Sequence, residues 1–221
     1  SNLASMGNMF SNTQATTLDV SNWNTSSAVS LYNMFGDSKV TTLDLSNWDT
    51  SNVTDMGLLF HRAAVSNLNV STWVASNVTN MSWMFAKSRV TSLDLSNFNT
   101  SSVTLMYGMF EGAALTSLDL SGWDTSSVED MGNMFAYNTT LTTLDLSGWD
   151  TTNLVRTSSM FRESQLTIID LSSFDTSNLT DSYRMFYGAQ STTGYAKTQA
   201  DADKLNASAD KPLTLNFIPK P

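Results

Sequence analysis

Apolar side chains recur along the chain at an interval of 25 residues. Two aromatic series show this interval, and each keeps it apart from a single step of 26. The first series is Trp23, Trp48, Trp73, Phe98, Trp123, Trp149 and Phe174, and the second is Phe10, Phe35, Phe60, Phe85, Phe110, Phe135, Phe161 and Phe186. The chain is therefore a tandem array of short repeats.

The first half of each repeat has the pattern of a short β-strand. In one repeat, Val40, Leu43 and Leu45 follow the spacing L-x-x-L-x-L, and polar residues take the positions between them. Alternation with a period of two places apolar side chains on one face of a strand. We predict one short, half-buried strand per repeat.

The second half has the spacing of a short helix. Val53, Met56, Leu59 and Phe60 lie at positions i, i+3, i+6 and i+7, which is one stripe of a helix with 3.6 residues per turn. Aspartate, threonine and serine precede this stripe and can cap the first-turn N–H groups. The sequence therefore predicts a helix of about two turns in every repeat.

Neither element can bury its own apolar stripe, so neighbouring repeats must stack to share one core. This predicts an α/β solenoid with one short parallel strand and one short helix per 25-residue repeat. Equivalent residues then form ladders, and we expect one inward row from the strands. That row is Leu43, Leu68, Leu93, Leu118, Leu144 and Ile169.

The two ends of the array differ from its middle. The chain starts inside a repeat, with Leu3, Met6, Met9 and Phe10 in the helix positions, so we expect residues 1–188 to form about seven repeats. An apolar first repeat needs a cover, and we expect the parent protein to continue N-terminally or another element to lie there. Residues 189–221 break the pattern and predict a C-terminal cap. We expect a helix and then a strand that contains Leu213, Leu215 and Phe217.

Composition excludes several classes of protein. The 221 residues carry 20 acidic and 11 basic side chains, for a net charge of -9, and such a chain repels nucleic acid and anionic membranes. No run of 18 apolar residues is present. The absence of cysteine excludes disulfides, thiolate metal sites and a cysteine nucleophile.

Catalytic machinery is also difficult to place. The chain has one histidine, no G-x-S-x-G and no glycine-rich phosphate loop. Equivalent carboxylates in a repeat share one environment, whereas an acid–base pair needs two different ones. We therefore predict a protein that is not an enzyme and has no cofactor; a polysaccharide lyase or hydrolase stays open as an alternative.

The full repeat, LDLSxWDTSxVTxMxxMF, resembles the BspA-like leucine-rich repeats of bacterial surface proteins over residues 3–188. The third repeat departs from this pattern at Asn69, Val74 and Ala75, which predicts a weaker helix cap there. The resemblance implies a right-handed solenoid. It also implies a segment of an extracellular adhesin that is anchored to the bacterial cell wall through other parts of the protein and binds host matrix proteins, mucosal proteins or glycans. A structural stalk that projects another domain is the alternative, and binding to ice or another crystal surface is a third class.

Two surfaces are candidates for ligand binding. One is an outward row of acidic and amide side chains on the predicted strands: Asp19, Asp44, Asn69, Asp94, Asp119, Asp145 and Asp170. Neighbouring charges about 5 Å apart repel by about 0.8 kcal/mol in water. We consider three roles for this row: hydrogen bonding to nearby hydroxyls, binding of a peptide, glycan or matrix protein, and binding of Ca²⁺.

The other candidate surface lies in the variable loops that follow the second aromatic series. It carries the basic residues His61, Arg62, Lys87 and Arg89, which form either a solvated edge or a contact for an acidic partner. A second polar row comprises Asn24, Asp49, Asn99, Asp124, Asp150 and Asp175, and we expect it to cap the helices. The tryptophans of the first aromatic series, Trp23, Trp48, Trp73, Trp123 and Trp149, are expected in the core, although a row of exposed tryptophans would also suit stacking against sugars.

Overall fold

The computed structural model describes residues 4–221; Leu3, which we placed in the first helix stripe, lies outside them. Successive repeats lie side by side in parallel, because isolated parallel bridges join equivalent residues of neighbouring repeats. The longest bridge ladder contains Ser5, Ser30, Asp55, Asn80, Leu105, Asp130, Arg156 and Asp181. Its steps are the 25- and 26-residue steps seen in the sequence.

The segment around each phenylalanine is held by backbone hydrogen bonds of two alternating kinds. Every second N–H donates to the next repeat, as from Leu58 to the carbonyl of Ser82 at 2.9 Å and from Phe60 to that of Met84 at 2.8 Å. The N–H groups between them bond locally, as from His61 to the carbonyl of Leu58 at 2.9 Å. We call the segments around the phenylalanines the turn segments. Each turn segment is therefore hydrogen-bonded to the following one.

Two residues in each turn segment have left-handed backbone angles, with φ between 54° and 68°. They lie two positions before and two positions after the phenylalanine, as Leu58 and Arg62 do around Phe60. The prediction of a helix in each repeat is therefore wrong: in residues 4–198 no helix forms. A left-handed residue at every fourth position ends any α-helix. The apolar spacing is instead satisfied by tight turns whose alternate N–H groups point to the next repeat.

The strand half forms fewer ladder bonds than we predicted. In the described residues, full strands are β1 (Ile168–Leu171), β2 (Thr193–Ala196) and β3 (Asn216–Pro219), which form a parallel sheet in the order β1-β2-β3. Earlier repeats keep single links, such as the N–H of Thr41 to the carbonyl of Thr16 at 3.0 Å. A strand in every repeat is thus not formed, because the backbone turns again within a few residues.

Stacked phenylalanines form the centre of the core. Neighbouring rings from Phe10 to Phe186 lie 5.6–6.1 Å apart between centroids. The tryptophans of the first aromatic series and the methionines pack against this stack and are mostly buried, although Met9 is 39% exposed. In the predicted inward row, Leu68 and Ile169 are buried, whereas the other four leucines are only partly buried.

Buried threonines also join neighbouring repeats. The hydroxyl of Thr50 donates to the carbonyl of Val74 at 2.8 Å and accepts the N–H of Val74 at 2.9 Å. Thr25 makes the same pair of bonds with Asp49. The equivalent residue of the third repeat is Ala75, which is fully buried and has no hydroxyl. The departure noted in the sequence therefore removes a link between repeats and not a helix cap.

The C-terminal segment covers the last repeat. Helix α1 (Gln199–Asn206) begins at its cap Thr198, whose side chain accepts the N–H of Asp201. In β3, Phe217 is buried, and its ring lies 5.0 Å from that of Phe186. Leu213, which we placed in the final strand, is fully exposed instead. The handedness of the array and a domain boundary at residue 188 stay predictions.

Candidate functional site

The outward acidic row lies on the strand side of the repeats, and each member closes a local turn. Asp19, Asp44 and Asp94 each accept the N–H and the hydroxyl of the serine two residues later, at 3.1–3.2 Å and 2.7 Å. Asn69 makes the same contacts with Ser71. Asp119, Asp145 and Asp170 accept the N–H of the serine two residues later at 2.9–3.0 Å. These bonds match the first of the three roles considered for the row.

Hydrogen bonds, and not mutual repulsion, dominate the electrostatics of this row. The Ser21 hydroxyl and N–H lower the pKa of Asp19, while repulsion from Asp44 opposes them weakly. Serine hydrogen bonds likewise lower the pKa of Asp94 and Asp119. Burial works against ionisation of Asp170, but Lys220, 2.7 Å away, and Ser172 still lower its pKa. The carboxylates therefore stay ionised at neutral pH.

A groove of about 750 Å³ lies beside the C-terminal part of this row. Its polar wall includes Asp119, Asp145 and Lys220, and its apolar wall includes Leu118 and Leu144. Those leucines are two of the four partly buried members of the predicted inward row. Within residues 4–221, no three histidine, aspartate or glutamate side chains are arranged to hold a metal ion.

The second polar row also closes turns. Asn24, Asp49 and Asp124 accept the N–H of the residue two positions later at 2.9–3.1 Å. Because the segments that follow are not helical, this row caps turns and not helices. Trp48, Trp73, Trp123 and Trp149 are at most 4% exposed. These four side chains lie in the core as predicted, and their burial excludes them as a platform for sugars.

Three of the four predicted basic loop residues have acidic neighbours in the chain itself. Arg62 lies 3.2 Å from Asp37, and Lys87 lies 3.0 Å from Glu111. The His61 ring nitrogen is 3.8 Å from Asp37, and burial lowers the pKa of this histidine although Asp37 opposes the shift. Arg62 and Lys87 remain on the surface, as does Arg89.

The turn segments carry further large side chains beside His61, Arg62 and Lys87, which the sequence already offered as candidates. We define the variable face as the non-repeating aromatic and basic side chains of these segments: Tyr32, His61, Arg62, Trp83, Lys87, Tyr107, Tyr137, Arg162, Tyr183, Arg184 and Tyr187. The face includes five of the six tyrosines of the chain and its only histidine.

Aromatic side chains of the variable face lean across to the next repeat, where glycine makes room. An added Cβ at Gly108 would lie 2.6 Å from the Trp83 ring, and one at Gly132 would lie 2.8 Å from the Tyr107 ring. The rings of Trp83 and Tyr107 pack edge to face at 5.1 Å. A glycine 25 residues after an aromatic residue was therefore a readable signal for this face.

Arginine guanidinium groups lie over tyrosine rings at the C-terminal end of the face. The guanidinium of Arg162 lies 5.2 Å from the Tyr137 ring and 5.3 Å from the Tyr187 ring. That of Arg184 lies 5.0 Å from the Tyr183 ring and 5.3 Å from the Tyr187 ring. We call these five side chains the Arg–Tyr cluster. Its members come from three successive repeats.

Comparison with known proteins places the chain in a family. Residues 1–97 and 79–198 match the family described as "Mycoplasma protein of unknown function, DUF285". No curated protein and no solved structure matches the chain significantly. In residues 4–221 no helix is long and apolar enough to cross a bilayer. Because the matched stretches cover most of the chain, the protein belongs to the DUF285 family, a repeat family associated with BspA-like surface proteins.

Proposed function

We propose that this chain is a non-enzymatic binding module of a bacterial cell-surface adhesin, built as a solenoid with leucine-rich-repeat-like units. Its ligands are host matrix proteins, mucosal proteins or glycans, and the variable face contacts them. On this proposal the module works outside the cell and is anchored to the wall through other parts of the protein.

The observation that carries the proposal is the contrast between a repeating core and a non-repeating face. A stalk needs only the stacked core, and it gains nothing from exposed rings such as Tyr183, which is 61% exposed. Tyrosine, tryptophan and arginine are the residues that contribute most to binding energy in protein interfaces. Their concentration on one face favours contact with a partner over a purely structural role.

Binding of the 221-residue chain to immobilised fibronectin, fibrinogen and mucin tests the proposal. We expect binding to at least one of them, and we expect Trp83→Ala with Tyr107→Ala to weaken it at least tenfold. Asp94→Asn with Asp119→Asn, on the strand side, is the matched control and is expected to leave the affinity within twofold.

Other outcomes identify the alternatives. Loss of binding in the aspartate variant alone would assign the contact to the strand side and its groove. No binding of the unaltered chain to matrix proteins, mucin or glycans would favour the stalk.

A further inference from the structure

The Arg–Tyr cluster places two arginines around one tyrosine ring, that of Tyr187, in a chain whose net charge is -9. In the described part of the chain, four other cations of the surface have carboxylate neighbours within 4 Å: Arg62, Lys87, Arg156 and Lys220. No carboxylate of residues 4–221 lies within that distance of Arg162 or Arg184. Each of these two guanidinium groups lies over two tyrosine rings instead.

Burial limits which atoms of the two guanidinium groups can meet a ligand. The Nε atoms of Arg162 and Arg184 are buried and have no hydrogen-bond partner among the described residues. With Nε buried, the terminal N–H groups are the ones left to meet a ligand, and they can bind a carboxylate or a sulfate with two parallel hydrogen bonds. The cluster is therefore preorganised for two anionic groups.

The surroundings of the cluster favour a polymer that lies on the surface. Tyr137, Tyr183 and Tyr187 are 38%, 61% and 41% exposed. The groove on the strand side and the small cavity beside α1 are lined by other residues. Neither of them can therefore hold a peptide side chain next to the cluster. Exposed rings and phenol hydroxyls suit the flat faces and dense hydroxyl groups of sugars.

We propose that the Arg–Tyr cluster binds an acidic polysaccharide, with sulfate or carboxylate groups of successive sugars on Arg162 and Arg184 and the sugar rings against the tyrosines. The inference rests on the proposed adhesive function and names one ligand class for it. Glu163 lies at the edge of the cluster, with its carboxylate 2.7–2.9 Å from where a Cβ on Gly188 would be. Its negative charge weakens binding of any anion there.

Titration of the chain with a heparin oligosaccharide by calorimetry at low ionic strength tests the inference. We expect binding, an affinity at least tenfold lower for Arg162→Gln with Arg184→Gln, and a higher affinity for Glu163→Gln. Arg156→Gln with Lys220→Gln is the matched control, since it removes the same charge at two cations that lie outside the variable face and already have acidic partners. Its affinity is expected within twofold of the unaltered chain.

Further arms separate the alternatives. Desulfated heparin and a polysialic acid distinguish sulfate from carboxylate as the bound group, and binding of either polymer supports the inference. Equal losses in both double variants would overturn it, because attraction would then follow total charge. Tighter binding of a polyglutamate peptide than of any acidic sugar would also overturn it. If the heparin experiment overturns the inference but the chain still binds fibronectin, fibrinogen or mucin without using the cluster, the proposed function stands.

Circular dichroism and the melting temperature show whether each variant is folded. Arg162→Lys with Arg184→Lys keeps the charge and is expected to lose affinity, because lysine loses the contact between guanidinium and ring.

Discussion

Alanine substitutions at three glycines distinguish the left-handed turns from the helices that the apolar spacing predicts. Gly108 and Gly112 lie in one turn segment with φ of +61° and +57°. An added Cβ at Gly108 would lie 2.6 Å from the Trp83 ring, whereas at Gly112 its nearest contact would be 3.5 Å away. Gly122 lies on the strand side, and a Cβ there would meet nothing within 4 Å.

The expected changes in unfolding free energy differ in sign and size. A left-handed backbone costs a non-glycine residue about 1–2 kcal/mol, so Gly112→Ala is expected to destabilise by about that amount. Gly108→Ala adds the clash with Trp83, and overpacking of this kind costs about 1–3 kcal/mol more. Gly122→Ala has no such strain and lowers the entropy of the unfolded chain, which stabilises by up to about 1 kcal/mol.

Urea unfolding followed by circular dichroism measures the three variants, and the slope of free energy against urea shows whether each unfolds as the unaltered chain does. In a helix, alanine in place of glycine stabilises by about 0.5–1 kcal/mol. Gly108→Ala and Gly112→Ala variants that unfold at higher urea than the unaltered chain would therefore refute the left-handed turns.

Three further predictions concern the core, the links between repeats and acid. Phe85 is fully buried between two rings at 5.7 and 5.9 Å, so Phe85→Ala is expected to cost about 3–5 kcal/mol; a urea midpoint close to that of the unaltered chain would contradict the stack. Ala75→Thr supplies the missing hydroxyl link and is expected to raise the free energy of unfolding by about 1 kcal/mol. Ala75→Val has the same shape but no hydroxyl and is not expected to do so. Equal urea midpoints for these two variants would show that no link forms. The pKa of each carboxyl in the outward acidic row is below the ordinary 3.8, so the stability it contributes is present above pH about 4 and is lost as pH falls through the lowered pKa. Melting temperatures should drop below that pH, and a rise on acidification would mean that repulsion in the row dominates.

Much of the interior could be predicted from the positions that repeat, whereas the candidate site could be predicted only in part. A bulky apolar side chain at a fixed offset in every repeat belongs in the core, and Trp73 and Phe110 are buried there. The acidic row was visible for the same reason, since it also repeats. The variable face was only partly visible, because Tyr107 and Arg162 occupy different offsets and belong to no row.

The sequence by itself determined the interval of the repeats and the identity of the apolar rows, since side chains 25 residues apart can be buried only if equivalent positions meet. Tertiary structure decided the backbone between them. Apolar residues at i, i+3 and i+7 fit a helix and a chain of tight turns equally well, and the turns form because alternate N–H groups, such as that of Phe60, find carbonyl partners in the next repeat. The Arg–Tyr cluster has the same origin: Tyr137, Arg162 and Tyr187 are separated by about one repeat each, and only the contact between repeats places the guanidinium between the rings.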